Sequence, residues 1–170
     1  MKILVTAASK HGSTHEIAEQ IAETLKEQGA DVARRLPEEI LSIDEFDAVV
    51  LGSAVYAGHW MTPARELVAR LGQSFASRPV WLFSSGPVGE PPKPEEDPVD
   101  VAELVEVTKA RKHRVFAGKL EKKQLGFGER AIVLALRAPE GDFRSWEDIK
   151  GWAIEIFEEL STEDARRGDR

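Results

Sequence analysis

Hydroxyl-bearing residues cluster between an apolar run near the amino terminus and an amphipathic segment that follows it. The run is Ile3-Leu4-Val5, and the cluster reads Ser9-Lys10-His11-Gly12-Ser13-Thr14. A phosphate monoester is bound at a helix start by hydroxyl groups, a glycine and free backbone N–H groups. Serine and threonine also cap helices without any ligand. The cluster, called the phosphate loop below, therefore leaves two interpretations open, a phosphate site and an ordinary capped helix.

Two further stretches have compositions that suit a flat ring. The first ring loop follows the third apolar run and reads Gly52-Ser53-Ala54-Val55-Tyr56-Ala57-Gly58-His59-Trp60, and the second follows the fourth run and reads Ser84-Ser85-Gly86-Pro87-Val88-Gly89. Small residues let the backbone approach a ligand closely. Tyr56 is favoured as a stacking partner, whereas Trp60 is expected to pack on the next helix. An ordinary proline–glycine turn is the alternative for the second ring loop.

A phosphate loop combined with two ring loops predicts a site for flavin mononucleotide (FMN). Lys10 and His11 either add positive charge there or face solvent. No catalytic residue is predicted, because the flavin ring itself carries the chemistry. His59 fits either a proton relay at the ring edge or a surface position. The predicted cofactor-binding residues are Ser9, Lys10, His11, Gly12, Ser13, Thr14, Ser53, Ala54, Val55, Tyr56, Gly58, Ser85, Gly86, Pro87, Val88 and Gly89.

Other phosphate-binding and metal-binding classes fit the sequence less well. The phosphate loop lacks the Gly-x-x-x-x-Gly-Lys-Ser/Thr pattern of NTPases and the Gly-x-Gly-x-x-Gly pattern of dinucleotide folds. A phosphoacceptor receiver domain needs acidic residues after its first and third strands, where this chain has small and hydroxyl residues. We predict no metal site and interpret four acidic residues as a solvated face, namely Glu90, Glu95, Glu96 and Asp97.

Length and composition indicate one soluble domain with a real core. The chain has 170 residues, a formal net charge of −7 and no cysteine. The acidic balance argues against sequence-independent nucleic-acid binding, and the absence of cysteine excludes disulfides and thiolate chemistry. Residues 1–6 are too short an apolar run for a signal peptide or a membrane span, so a cytoplasmic location is expected. A homodimer is possible.

Apolar periodicity predicts alternating strands and helices. Strands are expected at Lys2–Thr6, Asp31–Arg35, Ala48–Ser53, Pro79–Ser84 and Arg114–Ala117. Helices are expected at Ser13–Gln28, from a Thr62 cap onward, at Val99–Thr108 and within Gln124–Arg137, where a strand is the alternative. A last helix follows a Ser145/Asp148 capping box and buries Ile149, Trp152, Ala153, Ile156, Phe157 and Leu160.

This alternation predicts an α/β fold, a flavodoxin-like three-layer sandwich around a five-stranded parallel sheet of order 2-1-3-4-5. Ligands of such sheets lie outside the carboxyl ends of the strands, at the switch between strands one and three. The three loops described above are at those ends. The predicted domain is residues 1–160, followed by a polar, disordered tail at 161–170.

The chain resembles the flavodoxin superfamily, and within it the group that contains the menaquinone-dependent protoporphyrinogen IX dehydrogenases. The resemblance extends over about residues 1–160. It rests on the phosphate loop, the first ring loop, Val115-Phe116-Ala117-Gly118 and Asp142-Phe143-Arg144-Ser145-Trp146. It implies non-covalent FMN, with the phosphate on Ser9–Thr14 and the ring between the loops around Tyr56 and Gly86.

The chain departs from that pattern in two places. Electron-carrier flavodoxins usually have a Thr-Gly-Asn-Thr-like stretch where this chain has His11-Gly12-Ser13-Thr14. Porphyrinogen-oxidising members are expected to carry a basic, aromatic segment where Lys119–Gly128 is charged and poor in aromatics. Three function classes therefore stay open: an FMN oxidoreductase acting on a quinone or porphyrinogen, an FMN electron carrier for a redox partner, and a cofactor-free binding or regulatory domain.

Overall fold

Apolar runs form a parallel sheet in the computed structural model, which describes residues 1–89 and 95–168. The strands are β1 (Lys2–Ala8), β2 (Asp31–Arg34), β3 (Ala48–Tyr56), β4 (His59–Trp60), β5 (Val80–Ser85) and β6 (Lys112–Phe116). The parallel strands are arranged β2-β1-β3-β5-β6, and β4 pairs antiparallel with the end of β3. The predicted order is confirmed, because β4 only shifts the numbering of the last two strands.

Helices cover both faces of the sheet, as a three-layer sandwich requires. On one face lie α1 (Ser13–Glu27) and α5 (Trp146–Gly168), which contact each other, and on the other α2 (Thr62–Ala76) and α3 (Val101–Thr108). Short 3₁₀ helices occupy Pro37–Glu39 and Lys122–Gln124. In the part of the chain that the structure describes, no helix has the length and apolarity needed to cross a membrane.

The core consists of two apolar layers separated by the sheet. Alternate residues of β1 point to opposite faces, so that Ile3 and Val5 join the layer under α1 and α5, whereas Leu4 joins the layer under α2 and α3. Both faces of β1, β3 and β5 are buried, which explains their nearly continuous apolar sequences. The predicted inner stripe of α5 is buried, with Phe157 partly so.

Most element boundaries differ by one or two residues from the sequence prediction, and two of the differences have a clear physical reason. Strand β3 continues to Tyr56, beyond the predicted end at Ser53, because Val55 and Tyr56 pair with β4 in a hairpin that turns at Ala57 and Gly58. Much of the predicted first ring loop is therefore strand. At the start of α2, Met61 occupies the N-cap position and Thr62 is already helical, so the predicted Thr62 cap is wrong by one residue.

Residues 119–142 form an insert between β6 and α5. Its base is a two-stranded antiparallel ribbon of β7 (Lys119–Leu120) and β8 (Gly141–Asp142), and it contains helix α4 (Phe127–Ala135). The preference for helix over strand in this region is confirmed. No described residue of α4 is buried, however, and Phe127 is 96% and Leu134 76% exposed.

The carboxyl-terminal helix is longer than the sequence suggested. It runs to Gly168, so residues 161–168, which were expected to belong to a polar, disordered tail, continue α5. Glutamate and arginine are good helix formers, and Glu163 pairs with Arg111 at 2.6 Å, which ties this part of α5 to the body of the domain. One half of the predicted capping box is present, since the Asp148 N–H donates to Ser145 Oγ at 3.3 Å.

Candidate functional site

The register of the sheet brings the phosphate loop and both ring loops to one edge. Ala8, the last residue of β1, pairs with Ser53 of β3, and Ala54 pairs with Ser85 at the end of β5. All of these residues lie at the carboxyl ends of parallel strands. The three segments that were predicted separately from the sequence therefore surround one region, at the switch point between β1 and β3.

The phosphate loop enters α1 through a left-handed residue. Gly12 occupies the N-cap position with a φ of 88°, and its N–H donates to Ser9 Oγ at 3.0 Å. No side chain caps the helix. Since the first N–H groups of a helix have no partner within it, these donors remain available to an anion, and the helix dipole adds favourable field. The interpretation of Ser13 and Thr14 as an ordinary cap is thereby weakened.

Thr14 carries an unpaired hydroxyl in the first turn of α1. Its side chain is fully buried, and Thr14 Oγ1 has no hydrogen-bond partner among the described residues. A buried hydroxyl without a partner costs folding free energy. Thr6 Oγ1 and Trp81 Nε1 are also buried without a partner among the described residues, but of these three atoms only Thr14 Oγ1 lies in the phosphate loop. The uncapped helix start, the left-handed glycine and this hydroxyl fit the requirements of a phosphate group.

The two basic residues of the phosphate loop do not point freely into solvent. Lys10 Nζ donates to Glu129 Oε1 of α4 at 2.8 Å, and His11 Nε2 lies 3.1 Å from the same oxygen. The other carboxylate oxygen accepts the Gly126 N–H at 2.8 Å. The hydrogen bond from Lys10, followed by those from Gly126 and His11, lowers the pKa of Glu129 to about 2. The loop thus already binds an anionic group, supplied by the insert.

Tyr56 lies beside this ion pair. The centroids of the Tyr56 and His11 rings lie 6.4 Å apart in an edge-to-face arrangement, and Lys10 Nζ lies 5.8 Å from the centroid of the Tyr56 ring. Burial, and then the negative charge of Glu129, raise the pKa of Tyr56 to about 12. A half-buried aromatic ring at the carboxyl end of β3 is suited to stacking against a planar ligand.

The raised pKa of Tyr56 gives a direct spectroscopic prediction, because Tyr56 is the single tyrosine of the chain. At pH 11 the folded protein should show about one tenth of the tyrosinate absorbance, whereas the denatured protein should show about nine tenths. Since the folded pKa lies above the unfolded one, this group contributes stability below pH 10 that is lost as the pH rises toward 12. A titration midpoint near pH 10 in the folded protein would contradict this prediction. The Tyr56→Phe variant gives the absorbance baseline.

The hairpin after Tyr56 is fixed to the segment before α3. The Trp60 N–H donates to Asp100 at 2.9 Å, and His59 Nδ1 lies 3.2 Å from the same carboxylate. Partial burial opposes ionisation of Asp100, but the bonds from His59 and Trp60 hold its pKa below the ordinary value. His59 is exposed and ion-paired, which agrees with the surface alternative. Trp60 is buried in the layer under α2, as predicted.

Beneath the hairpin lies a polar network that the sequence analysis did not identify. The Trp60 indole N–H donates to Ser84 Oγ at 2.7 Å, and Ser84 Oγ is 2.8 Å from His113 Nε2. Burial lowers the pKa of His113, which favours the neutral ring as acceptor of the Ser84 proton. Ser84, His113 and Asp97 follow one another in the order of a hydrolase triad. However, Ser84 is fully buried, and Asp97 Oδ1 lies 3.7 Å from His113 Nδ1. The network joins strands rather than presenting a nucleophile.

The second ring loop packs against Gly118, which lies between the end of β6 and the start of the insert. The Gly118 N–H donates to the Pro87 carbonyl at 2.7 Å, and a Cβ on Gly118 would come within 2.9 Å of Gly86 Cα. Gly86 also lies against Val55 of β3. Gly89 has a φ of 95°, so this loop needs its glycine there. Of the acidic residues after this loop, Glu90 lies outside the described residues, and Glu95, Glu96 and Asp97 are exposed.

Arg144 was not identified from the sequence as a positioning residue, although the motif Asp142-Phe143-Arg144-Ser145-Trp146 that contains it was noted. Its guanidinium is 3% exposed and donates to the Ser13 carbonyl at 3.1 Å, to Glu16 at 2.6 Å and to Asp142 at 2.6 Å. It also stacks on Trp146, 4.6 Å from the ring centroid. The bonds to Asp142, opposed in part by burial, and the bond to Glu16 raise the pKa of Arg144. Arg144 therefore fixes the first turn of α1 to the base of the insert.

The chain is similar to one protein family and to characterised proteins over most of its length. The model of the family described as flavodoxin domain matches residues 4–145. Protoporphyrinogen IX dehydrogenase [quinone] of Escherichia coli (strain K12) is 27% identical over 171 residues, which cover 92% of this chain and 94% of that protein. The protein of the same name from Escherichia coli O157:H7 gives the same values.

Solved structures share the architecture at low sequence identity. A flavodoxin from the domain Archaea superposes with a TM-score of 0.65 at 19% identity, covering 95% of this chain and 99% of that one. The rubredoxin oxygen:oxidoreductase of Desulfovibrio gigas gives 0.67 at 15% identity, covering 96% of this chain and 37% of that one. Flavodoxin 1 of Bacillus cereus gives 0.61 at 14%, covering 93% and 98%. These likenesses establish the fold.

Proposed function

Since the chain belongs to the flavodoxin domain family, we propose that it is an FMN-binding redox protein that acts as an oxidoreductase on a quinone- or porphyrinogen-type substrate. The observation that carries FMN binding is the buried, unpartnered hydroxyl of Thr14 beside an uncapped helix start. In the empty protein this hydroxyl makes no hydrogen bond with a described residue, whereas a phosphate at the start of α1 would give it a partner.

The residues that hold the cofactor in this proposal come from all three segments. Ser9, Ser13 and Thr14 bind the phosphate through hydroxyl and N–H groups, Gly12 provides the left-handed turn into α1, and Lys10 and His11 add positive charge. Ser53, Ala54, Val55, Tyr56 and Gly58 line one side of the ring, with Tyr56 as the stacking group. Ser85, Gly86, Pro87, Val88 and Gly89 supply backbone groups to the other side.

When bound, FMN supplies hydride and electron transfer, and the protein binds it, orients it and limits its contact with water. Asp100 holds the hairpin in place, and Gly118 holds the second ring loop in place. These two contacts position both ring-binding segments. The substrate class follows from the E. coli relative, whose name specifies protoporphyrinogen IX and a quinone. No acid or base of the protein is required in this account.

An electron carrier is the second candidate, and the acidic net charge of −7 favours it. A carrier would dock to a redox partner through complementary charge, so its electron transfer should weaken steeply as salt is raised. An oxidoreductase acting on a neutral quinone should show little dependence on ionic strength. The two candidates therefore differ in a quantity that can be measured without knowing the partner.

The experiment that tests the oxidoreductase is reoxidation of the reduced, FMN-loaded protein under anaerobic conditions. A water-soluble naphthoquinone should reoxidise it rapidly, with one quinone reduced per FMN and with a rate that salt changes by less than about twofold. Tyr56→Leu should slow this step, whereas His59→Gln should leave it unchanged. Rapid reoxidation by a basic one-electron carrier protein, with a steep salt dependence and no reaction with the quinone, would favour the electron carrier instead.

A further inference from the structure

Helix α4 contacts the phosphate loop through a carboxylate. Glu129 Oε1 receives Lys10 Nζ at 2.8 Å and lies 3.1 Å from His11 Nε2, although more than 100 residues separate the partners in sequence. The Glu129 side chain is only 17% exposed, whereas that of Lys10 is 51% exposed. The acid therefore lies close against the loop rather than extending into solvent.

Apolar packing contributes little to the position of this helix. No described residue of α4 is buried, and its large apolar side chains Phe127, Ile132 and Leu134 are exposed. The base of the insert is fixed by the ribbon of β7 and β8 and by the bond from the Phe143 N–H to the Gly118 carbonyl. Leu125, two residues before α4, is buried and holds the start of the helix, and the contacts of Glu129 join α4 itself to the phosphate loop.

We propose that Glu129 is an internal anion that competes with the cofactor phosphate for Lys10 and His11. Cofactor binding and docking of the insert on the phosphate loop then oppose each other. This inference rests on the proposed function, because it assumes a phosphate-bearing cofactor at Ser9–Thr14. It goes beyond that function by assigning a role to the insert, which regulates cofactor affinity through one carboxylate.

The competition follows from charge. A phosphate at the start of α1 and the Glu129 carboxylate are both anions, and they compete for the same two hydrogen-bonding partners, Lys10 Nζ and His11 Nε2. Ion pairs with one solvent-exposed partner are weak, so that displacement of the carboxylate requires little free energy. Glutamine at position 129 keeps an oxygen for the Gly126 N–H but removes the negative charge, which makes it the appropriate variant.

The test compares dissociation constants for FMN and for riboflavin, which lacks the phosphate, by quenching of flavin fluorescence. Glu129→Gln should tighten FMN binding by about three- to tenfold and leave riboflavin binding unchanged. Glu140→Gln is the matched control, because Glu140 lies in the same insert and is exposed, its carboxylate accepting the Lys122 N–H. This control should leave both constants unchanged.

A second measurement uses the unaltered protein, so it does not depend on the folding of a variant. Amide hydrogen exchange in α4 should become faster when FMN is added, because the insert is released, and riboflavin should have a smaller effect. Inorganic phosphate alone should also accelerate the exchange at high concentration. Protection of α4 by FMN would overturn the competition and make Glu129 a positioning residue of the loaded site.

The outcomes distinguish this inference from the function on which it rests. If the wild type and every variant fail to bind FMN, the proposed function is wrong and the competition falls with it. If FMN binds to all variants with the same constant, or less tightly to Glu129→Gln, the function stands and the competition is wrong. A gain for Glu129→Gln that is equal for FMN and riboflavin would also overturn it, since the phosphate would then not be involved.

Discussion

Replacement of Thr14 by valine should weaken FMN binding by roughly ten- to a hundredfold while leaving the cofactor-free protein at least as stable as the wild type. The hydroxyl is buried without a hydrogen-bond partner, so its removal costs the empty fold nothing. In the loaded protein it would bond to a charged phosphate oxygen, which is worth about 1.5–3 kcal/mol. The measurements are the FMN dissociation constant and the thermal midpoint without flavin.

Thr24→Val is the matched control on the same helix. Thr24 is also buried, but its hydroxyl donates to the Gln20 carbonyl at 2.9 Å, away from the phosphate loop. This variant should lose about 1 kcal/mol of stability and keep the wild-type FMN affinity. Should Thr14→Val lower the stability of the empty protein and leave FMN affinity unchanged, Thr14 would be a structural residue and the phosphate would lie elsewhere.

Replacement of Gly52 by alanine should lower the free energy of unfolding by about 3 kcal/mol. Gly52 and Phe83 are directly paired on the central strands β3 and β5. A Cβ at position 52 would lie 2.1 Å from one Phe83 ring atom and under 2.5 Å from two others. The Phe83 ring cannot easily move, because Phe116 and Trp152 pack edge to face on it at 6.0 and 6.1 Å. Denaturant unfolding monitored by circular dichroism measures the loss.

Two variants show whether the clash causes that loss. Gly128→Ala lies in exposed α4, where a Cβ meets nothing within 4 Å, and should leave stability unchanged or raise it slightly. The double variant Gly52→Ala/Phe83→Leu should lose less stability than the sum of its single variants, because the smaller side chain relieves the contact. Strict additivity of the two changes would contradict the proposed clash.

The sheet and the helices that cover it were predictable because local sequence determines them. Continuous apolar runs such as Ile3–Val5 and Val80–Phe83 favour strands buried on both faces, and both runs are buried in the sheet. The apolar periodicity of α1 and α5 gave their buried faces directly. The end of β3 was missed because Ala54 is a small residue that suits a loop, and because the partner that keeps Val55 and Tyr56 in a strand is β4 of the same hairpin.

The insert and its contact with the phosphate loop could not be predicted, because they depend on residues far apart in sequence. Lys119 of β7 pairs with Asp142 of β8, and Glu129 reaches Lys10 across most of the chain. The apolar residues of α4 left helix and strand open in the sequence, and in the fold they are exposed on a helix. In the sequence, Arg144 was noted only as part of the motif Asp142-Phe143-Arg144-Ser145-Trp146. Its burial against α1 depends on the fold and could not be predicted from that motif.

The central claim is that this chain binds FMN at the switch point between β1 and β3. The most direct test is the absorption spectrum of the protein after incubation with FMN and gel filtration. The account predicts about one flavin retained per chain, with absorption bands shifted from those of free FMN, and far less retained by Thr14→Val. A colourless wild-type protein whose spectrum FMN does not change would contradict it.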